Sequence, residues 1–263
     1  MARAKRHYIP GQIWHLTHRC HKRDFLLGLI KDRRRFVQWL FEAKRRYGLT
    51  ILNYTVTSNH IHLLILDEKG KNVLPKSIKL VAGRVAQEFN LRKKRKGAFW
   101  EDRYHATAVE TDQHLLRCIV YIDLNMVRAG VVSHPKEWPF CGYNEIQNPR
   151  RKNVLIDHLK LAELAGFEGY DSFRAAHREL VNDSLGNVEN HRQPQWTESI
   201  AVGSKNFIEG IKDKMGVLAK GRKILENDGG FQLREEEGVY NSFFEDKNED
   251  IAPLNAYFWN VIS

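Results

Sequence analysis

The stretch 55–66, Thr-Val-Thr-Ser-Asn-His-Ile-His-Leu-Leu-Ile-Leu, constrains this chain more than any other. Its aliphatic run 63–66 is short and closes on Asp67-Glu68-Lys69-Gly70, which reads as a buried strand. Side chains on a strand alternate faces, so His60 and His62 share one face, about 7 Å apart along the backbone. Two imidazoles so placed can meet at one metal ion; equally, one can sit in the core and the other at a strand end. Residues 50–56 read as a second strand. The link between the two is so short that they must pair as an antiparallel hairpin.

The flanking segments complete a pattern. Residues 12–17 alternate polar and apolar as a first strand. Residues 31–47 carry Phe36, Leu40 and Ala43 at helical spacing among many basic residues, and Gly48 ends that helix. Pro75 opens a second helix with Ile78, Val81, Val85 and Phe89 on one face. It runs into Arg92, Lys93, Lys94, Arg95 and Lys96, followed by Phe99 and Trp100. A basic run beside aromatics is either a solvated helix end or a nucleic-acid contact with a stacking surface. Residues 104–110 form a fourth strand. Asp112 is placed to cap a helix bearing Leu115, Leu116, Ile119 and Val120. The order strand–helix–strand–strand–helix–strand predicts an α+β, ferredoxin-like fold: a split βαβ antiparallel sheet with helices on one face.

Beyond Gly130, Pro and Gly punctuate the chain. The expected division is a domain over 1–147 and a mostly helical extension over 148–263, with an accessory DNA-binding or interaction role. Within it, helices are expected near 154–164 and over 196–216, a polar linker over 182–194, and a loose acidic stretch over 235–250.

Charge separates the halves. Residues 1–130 hold 26 Lys+Arg against 11 Asp+Glu, and the remainder holds 16 against 21. A surface so basic favours a polyanion, most often nucleic acid, through counterion release. The three cysteines are far apart and odd in number, which excludes a disulfide framework or thiolate zinc site. No apolar run is long enough for a membrane span, and residues 1–8 do not read as a secretory signal, so a cytoplasmic protein is expected.

Tyr121 and Asn125 stand four apart on the last helix and share a face. They form an ordinary buried pair, or, joined to the histidine strand, a tyrosine beside a cation held by His60, His62 and the Asn125 oxygen. Ser58-Asn59-His60-Ile61-His62-Leu63-Leu64 resembles the histidine–hydrophobe–histidine (HUH) signature, and 121–130, Tyr-Ile-Asp-Leu-Asn-Met-Val-Arg-Ala-Gly, resembles the tyrosine helix of single-tyrosine transposases. With Phe99-Trp100-Glu101-Asp102-Arg103-Tyr104, residues 8–130 are similar to the REP-associated branch of that superfamily. Met126 stands where that motif commonly has proline.

The resemblance implies metal-dependent cleavage and rejoining of single-stranded DNA at hairpin-bearing repeats. Tyr121 would be the nucleophile, with a 5′-phosphotyrosine intermediate, and Mg²⁺ or Mn²⁺ would sit on His60, His62 and Asn125. DNA contacts are expected from Arg92, Lys93, Lys94, Arg95, Lys96, Arg103 and Arg128. A homodimer is left open. The competing readings are a domesticated DNA-hairpin-binding protein that cleaves little, and a metal hydrolase that uses the histidines without the tyrosine.

Overall fold

Why the first half folds as it does follows from where its apolar residues fall. The computed structural model describes residues 9–68, 72–186, 193–227 and 229–235. Strand β1 is Ile13–Arg19 and helix α1 is Ile30–Tyr47. Helix α1 buries Phe36, Leu40 and Ala43 and ends where Gly48, at φ 70°, turns its N–H back to the Lys44 carbonyl. Truncating a fully buried leucine such as Leu40 to Ala would cost about 2–5 kcal/mol. Strands β2 (Thr50–Val56) and β3 (His60–Leu66) form the hairpin, α2 spans Val73–Arg92, and β4 spans His105–Val109.

β1 lies between β3 and β4, and β2 flanks β3, all antiparallel. That is the split βαβ, ferredoxin-like order expected. Helices α1 and α2 cover one face, where Leu16, His18, Ile61, Phe36, Ile78 and Val81 meet. Helix α3 (Gln113–Asp123), continued by the short α4 (Asn125–Arg128), packs on the opposite face against β2. Alternation along β1 and β3 turns His15, His60 and His62 toward that second face.

Asp112 does not cap α3. It sits at the N-terminal position with φ 58°, and its carboxylate accepts from the Thr111 hydroxyl (2.8 Å) instead of a helix N–H. Met126 is buried and α4 forms without a proline.

The second half adds α5 (Gly142–Gln147), α6 (His158–Leu164), α7 (Tyr170–Gly186), α8 (Gln195–Glu198) and α9 (Lys205–Met215). α5 begins so close to β2 that a Cβ on Gly142 would lie 2.0 Å from Asn53 Oδ1. The helical pattern read over 196–216 resolves into α8, strand β5 (Ala201–Gly203) and α9, whose start is capped by the Ser204 hydroxyl. β5 pairs in parallel with β4, and the hairpin β6 (Arg222–Asn227) and β7 (Gly230–Glu235) extends the same sheet to seven strands. Helix α7 runs through the first part of the expected linker; the rest of it, at 187–192, and the acidic stretch from 236 lie outside the described residues. Among the described residues, no helix is long and apolar enough to cross a membrane.

Candidate active site

The hairpin turn sets the first half of the site. Thr57 closes it by bonding the His60 carbonyl through both its N–H (3.0 Å) and its hydroxyl (2.9 Å). The Asn59 amide is oriented by donating from Nδ2 to the Arg23 carbonyl, so its oxygen faces His60 Nδ1 at 2.7 Å. An amide oxygen only accepts, so His60 carries its proton on Nδ1 and leaves Nε2 bare. His62 follows on the same face, its ring centroid 5.0 Å from that of His60. Its Nδ1 lies 2.9 Å from Nε2 of His15 on the neighbouring strand.

The second half comes from the helix on the same face. Tyr121 is nearly buried, its ring 5.7 Å from His62, 6.0 Å from His15 and 6.1 Å from Trp196. Asn125 brings its amide nitrogen to 3.0 Å from His62 Nε2, and it also touches the His60 ring. Rotation of that amide by half a turn would present its oxygen instead. The helix is anchored by Asp123, a fully buried carboxylate. It accepts from Asn53 Nδ2 (3.0 Å), the Cys141 thiol (3.2 Å) and His177 Nε2 (2.8 Å).

The residues present fit a divalent ion. Among the described residues, no three His, Cys, Asp or Glu side chains cluster as a metal site. The donors gathered here are instead two neutral imidazoles and an amide, which leave a cation its full charge.

The sequence-predicted DNA residues divide. Lys93, Lys94, Lys96 and Arg103 are exposed. Arg92 is engaged by Asp32, and Arg95 donates to Asn90 Oδ1. Arg128 turns back onto Tyr121: it donates to the Tyr121 carbonyl (2.6 Å), and its guanidinium lies 4.2 Å from the ring centroid. Phe99 is buried, and Trp100 stacks on His18 while donating its indole N–H to the Ala82 carbonyl. Phe99 is therefore core, packed on Phe89 of α2, while the partly buried Trp100 is held between β1 and α2.

With tyrosine, histidine pair and amide assembled, the comparisons with known proteins can be set beside the geometry. Residues 10–125 match the family model described as IS200-like transposase. Over this span the chain is similar to the IS200-like transposases. Among solved structures, the chain is similar to a REP-associated tyrosine transposase bound to a REP hairpin, at 21% identity and TM-score 0.47, covering 55% of this chain and 84% of that one. It is also similar to a candidate transposase from Deinococcus radiodurans R1, at 19% identity and TM-score 0.33, covering 41% and 87%. No curated protein matches.

Three residues of this candidate site gave no signal in the sequence. His15 is one of several polar positions on an alternating strand. Asp123 and His177 are 54 positions apart, and nothing marks them as partners. Burial holds the imidazoles neutral: His15 and His60 are pushed down to about 3, His60 also by Arg19, and His62 falls well below its ordinary value for the same first reason.

The sign of the pH effect follows. Below about pH 6.5 the unfolded chain binds protons that the folded chain refuses, so stability is full above that value and falls toward pH 3. Each histidine should contribute on the order of 1 kcal/mol per pH unit in that window. Urea midpoints at pH 7.5 and 5.0 are expected to drop clearly at the lower pH. A flat profile would show that these rings are not held neutral.

Proposed function

We propose that this transposase domain cleaves and rejoins single-stranded DNA at hairpin-bearing repeats, as a REP-associated enzyme with Tyr121 as nucleophile. The observation that carries the reading is the convergence of Tyr121, His62 and Asn125 within one chain, from a strand and a helix some 60 residues apart.

Tyr121 attacks phosphorus through its phenolic oxygen, and the bond to the 3′ oxygen breaks. The phenolic proton passes to solvent, and the departing oxygen leaves as a 3′-hydroxyl. A 5′-phosphotyrosine remains, whose ester bond energy allows a 3′-hydroxyl to rejoin the strand. His60, His62 and Asn125 would hold Mg²⁺ or Mn²⁺, which supplies Lewis-acid polarisation of the phosphate and favours phenolate. Arg128, packed on the Tyr121 ring, fixes the aromatic plane and adds positive charge beside it. Lys93, Lys94, Lys96 and Arg103 are available to the phosphate backbone.

A single strand is the better substrate for a tyrosine recessed beside a sheet. A duplex would have to unpair at a cost of a few kcal/mol to bring a phosphate there. The test is adduct formation with Mn²⁺ on three labelled DNAs: a hairpin with a single-stranded flank, the same sequence as duplex, and an unstructured strand. The flanked hairpin should give the most adduct, and equal yield on the duplex would overturn the substrate assignment. His60→Ala and His62→Ala should each lower the yield at least about 100-fold, by analogy with removing a metal ligand. Undiminished cleavage in EDTA would remove the metal from the mechanism.

A further inference from the structure

We infer that His15 is a positioning residue for the cation: it holds His62 in the one tautomer that can ligate through Nε2, and it takes that role from the backbone of the C-terminal segment. The inference deepens the proposed function and rests on it.

The chain of bonds has one consistent reading. The Trp196 carbonyl, 2.9 Å from His15 Nδ1, can only accept, so His15 carries a proton there. His15 is completely buried, and among the described residues no carboxylate is bonded to it. A second proton would make it an uncompensated buried cation, so its Nε2 is a lone pair. The facing His62 Nδ1, 2.9 Å away, must therefore be the donor. His62 then presents a bare Nε2 where the Asn125 amide now donates, on the side facing Tyr121 and His60. Free imidazole side chains in water prefer the opposite tautomer, so the His15 contact selects against the solution preference.

The two histidines of the strand are thus prepared alike but by different means. His60 is fixed locally by Asn59, one residue away in the turn. His62 has no acceptor in its own hairpin and depends on a strand neighbour that is itself set by a residue 181 positions on. The near-parallel rings of His15 and His62, 10° apart, give that contact a fixed direction. Ligand histidines whose other nitrogen is so bonded lose roughly 10- to 100-fold in metal affinity when the partner is removed.

Two variants and one spectrum test this. His15→Phe keeps a buried ring but offers no acceptor; His15→Gln can accept from His62 and donate to Trp196. Mn²⁺ affinity, measured by electron paramagnetic resonance on full-length metal-free protein, should fall roughly 10- to 100-fold in His15→Phe and largely return in His15→Gln. Histidine ¹⁵N spectra of the metal-free wild type should show His62 protonated on Nδ1 and bare on Nε2. That spectrum decides the matter even if His15→Phe fails to fold. A folded His15→Phe that binds Mn²⁺ like wild type, or a His62 protonated on Nε2, overturns the role of His15 while leaving the proposed function standing. Wild-type Mn²⁺ binding that is indifferent to His60→Ala and His62→Ala would overturn both.

Discussion

Tyr121→Phe is expected to abolish the covalent protein–DNA adduct, a loss of roughly 10⁴-fold or more, in line with removal of an enzyme's nucleophile. Only the attacking oxygen is lost. The ring keeps its contacts to His15, His62 and Trp196, and the Arg128 guanidinium keeps its seat on the ring face. Hairpin affinity should therefore stay within about twofold, since phosphate contacts from basic residues elsewhere govern it. Among the described residues, no tyrosine beside the site can stand in: Tyr104 packs toward His18, on the opposite face of the sheet, and Tyr54 is buried, with burial pushing its hydroxyl well above the ordinary tyrosine value. The assay is a denaturing gel of labelled hairpin with Mn²⁺. An adduct that survives the substitution would move the nucleophile to another residue.

What could be read from the sequence, and what could not, divides along the range of the interactions. The strand carrying His60 and His62, the helix carrying Phe36, Leu40 and Ala43, and the tyrosine helix are each declared by local periodicity, and the hairpin link fixes which strands pair. The two motifs named His60, His62, Tyr121 and Asn125, which the fold brings together. What escaped was set by tertiary contact. Helix α7 buries Phe173, His177 and Val181 along one stripe, and a histidine in the middle position breaks the apolar pattern that would have revealed it. That histidine is buried because Asp123, far upstream, receives its N–H. Arg33 is a similar case. In a helix crowded with basic residues it reads as solvated, yet it is fully buried, donating to the Leu27 and Gly28 carbonyls and lying over the Trp138 and Phe140 rings. Strand β5, three residues long, is too short for alternation to register and exists because β4 has an open edge to pair with. Phe99 shows the reverse: its neighbours suggested a nucleic-acid surface, and packing claimed it for the core.

Removing residues 148–263 is expected to cost several kcal/mol of stability and all detectable cleavage, although the family match ends at residue 125. Asp123, two residues after the proposed nucleophile, would lose His177 and keep only Asn53 and Cys141. A buried carboxylate deprived of a partner costs on the order of 3–5 kcal/mol unless it takes up a proton. Glu145 is likewise buried and accepts from the Leu155 and Ile156 N–H groups, which the truncation deletes. β4 would lose β5 and become an edge strand beside β1. His15 would lose the Trp196 carbonyl, and Tyr121 would lose the indole that packs against it. The stability loss and the loss of cleavage thus have one origin: the second half of the chain closes the face on which the site is built. Salt-sensitive binding to any DNA should persist, because the 26 Lys+Arg of residues 1–130 remain. The measurements are thermal melting, a salt titration of DNA binding, and adduct yield on the flanked hairpin, each against the full chain. A truncated protein that melts within a few degrees of the full chain and still forms adduct would show that residues 10–125 hold the tyrosine in place unaided.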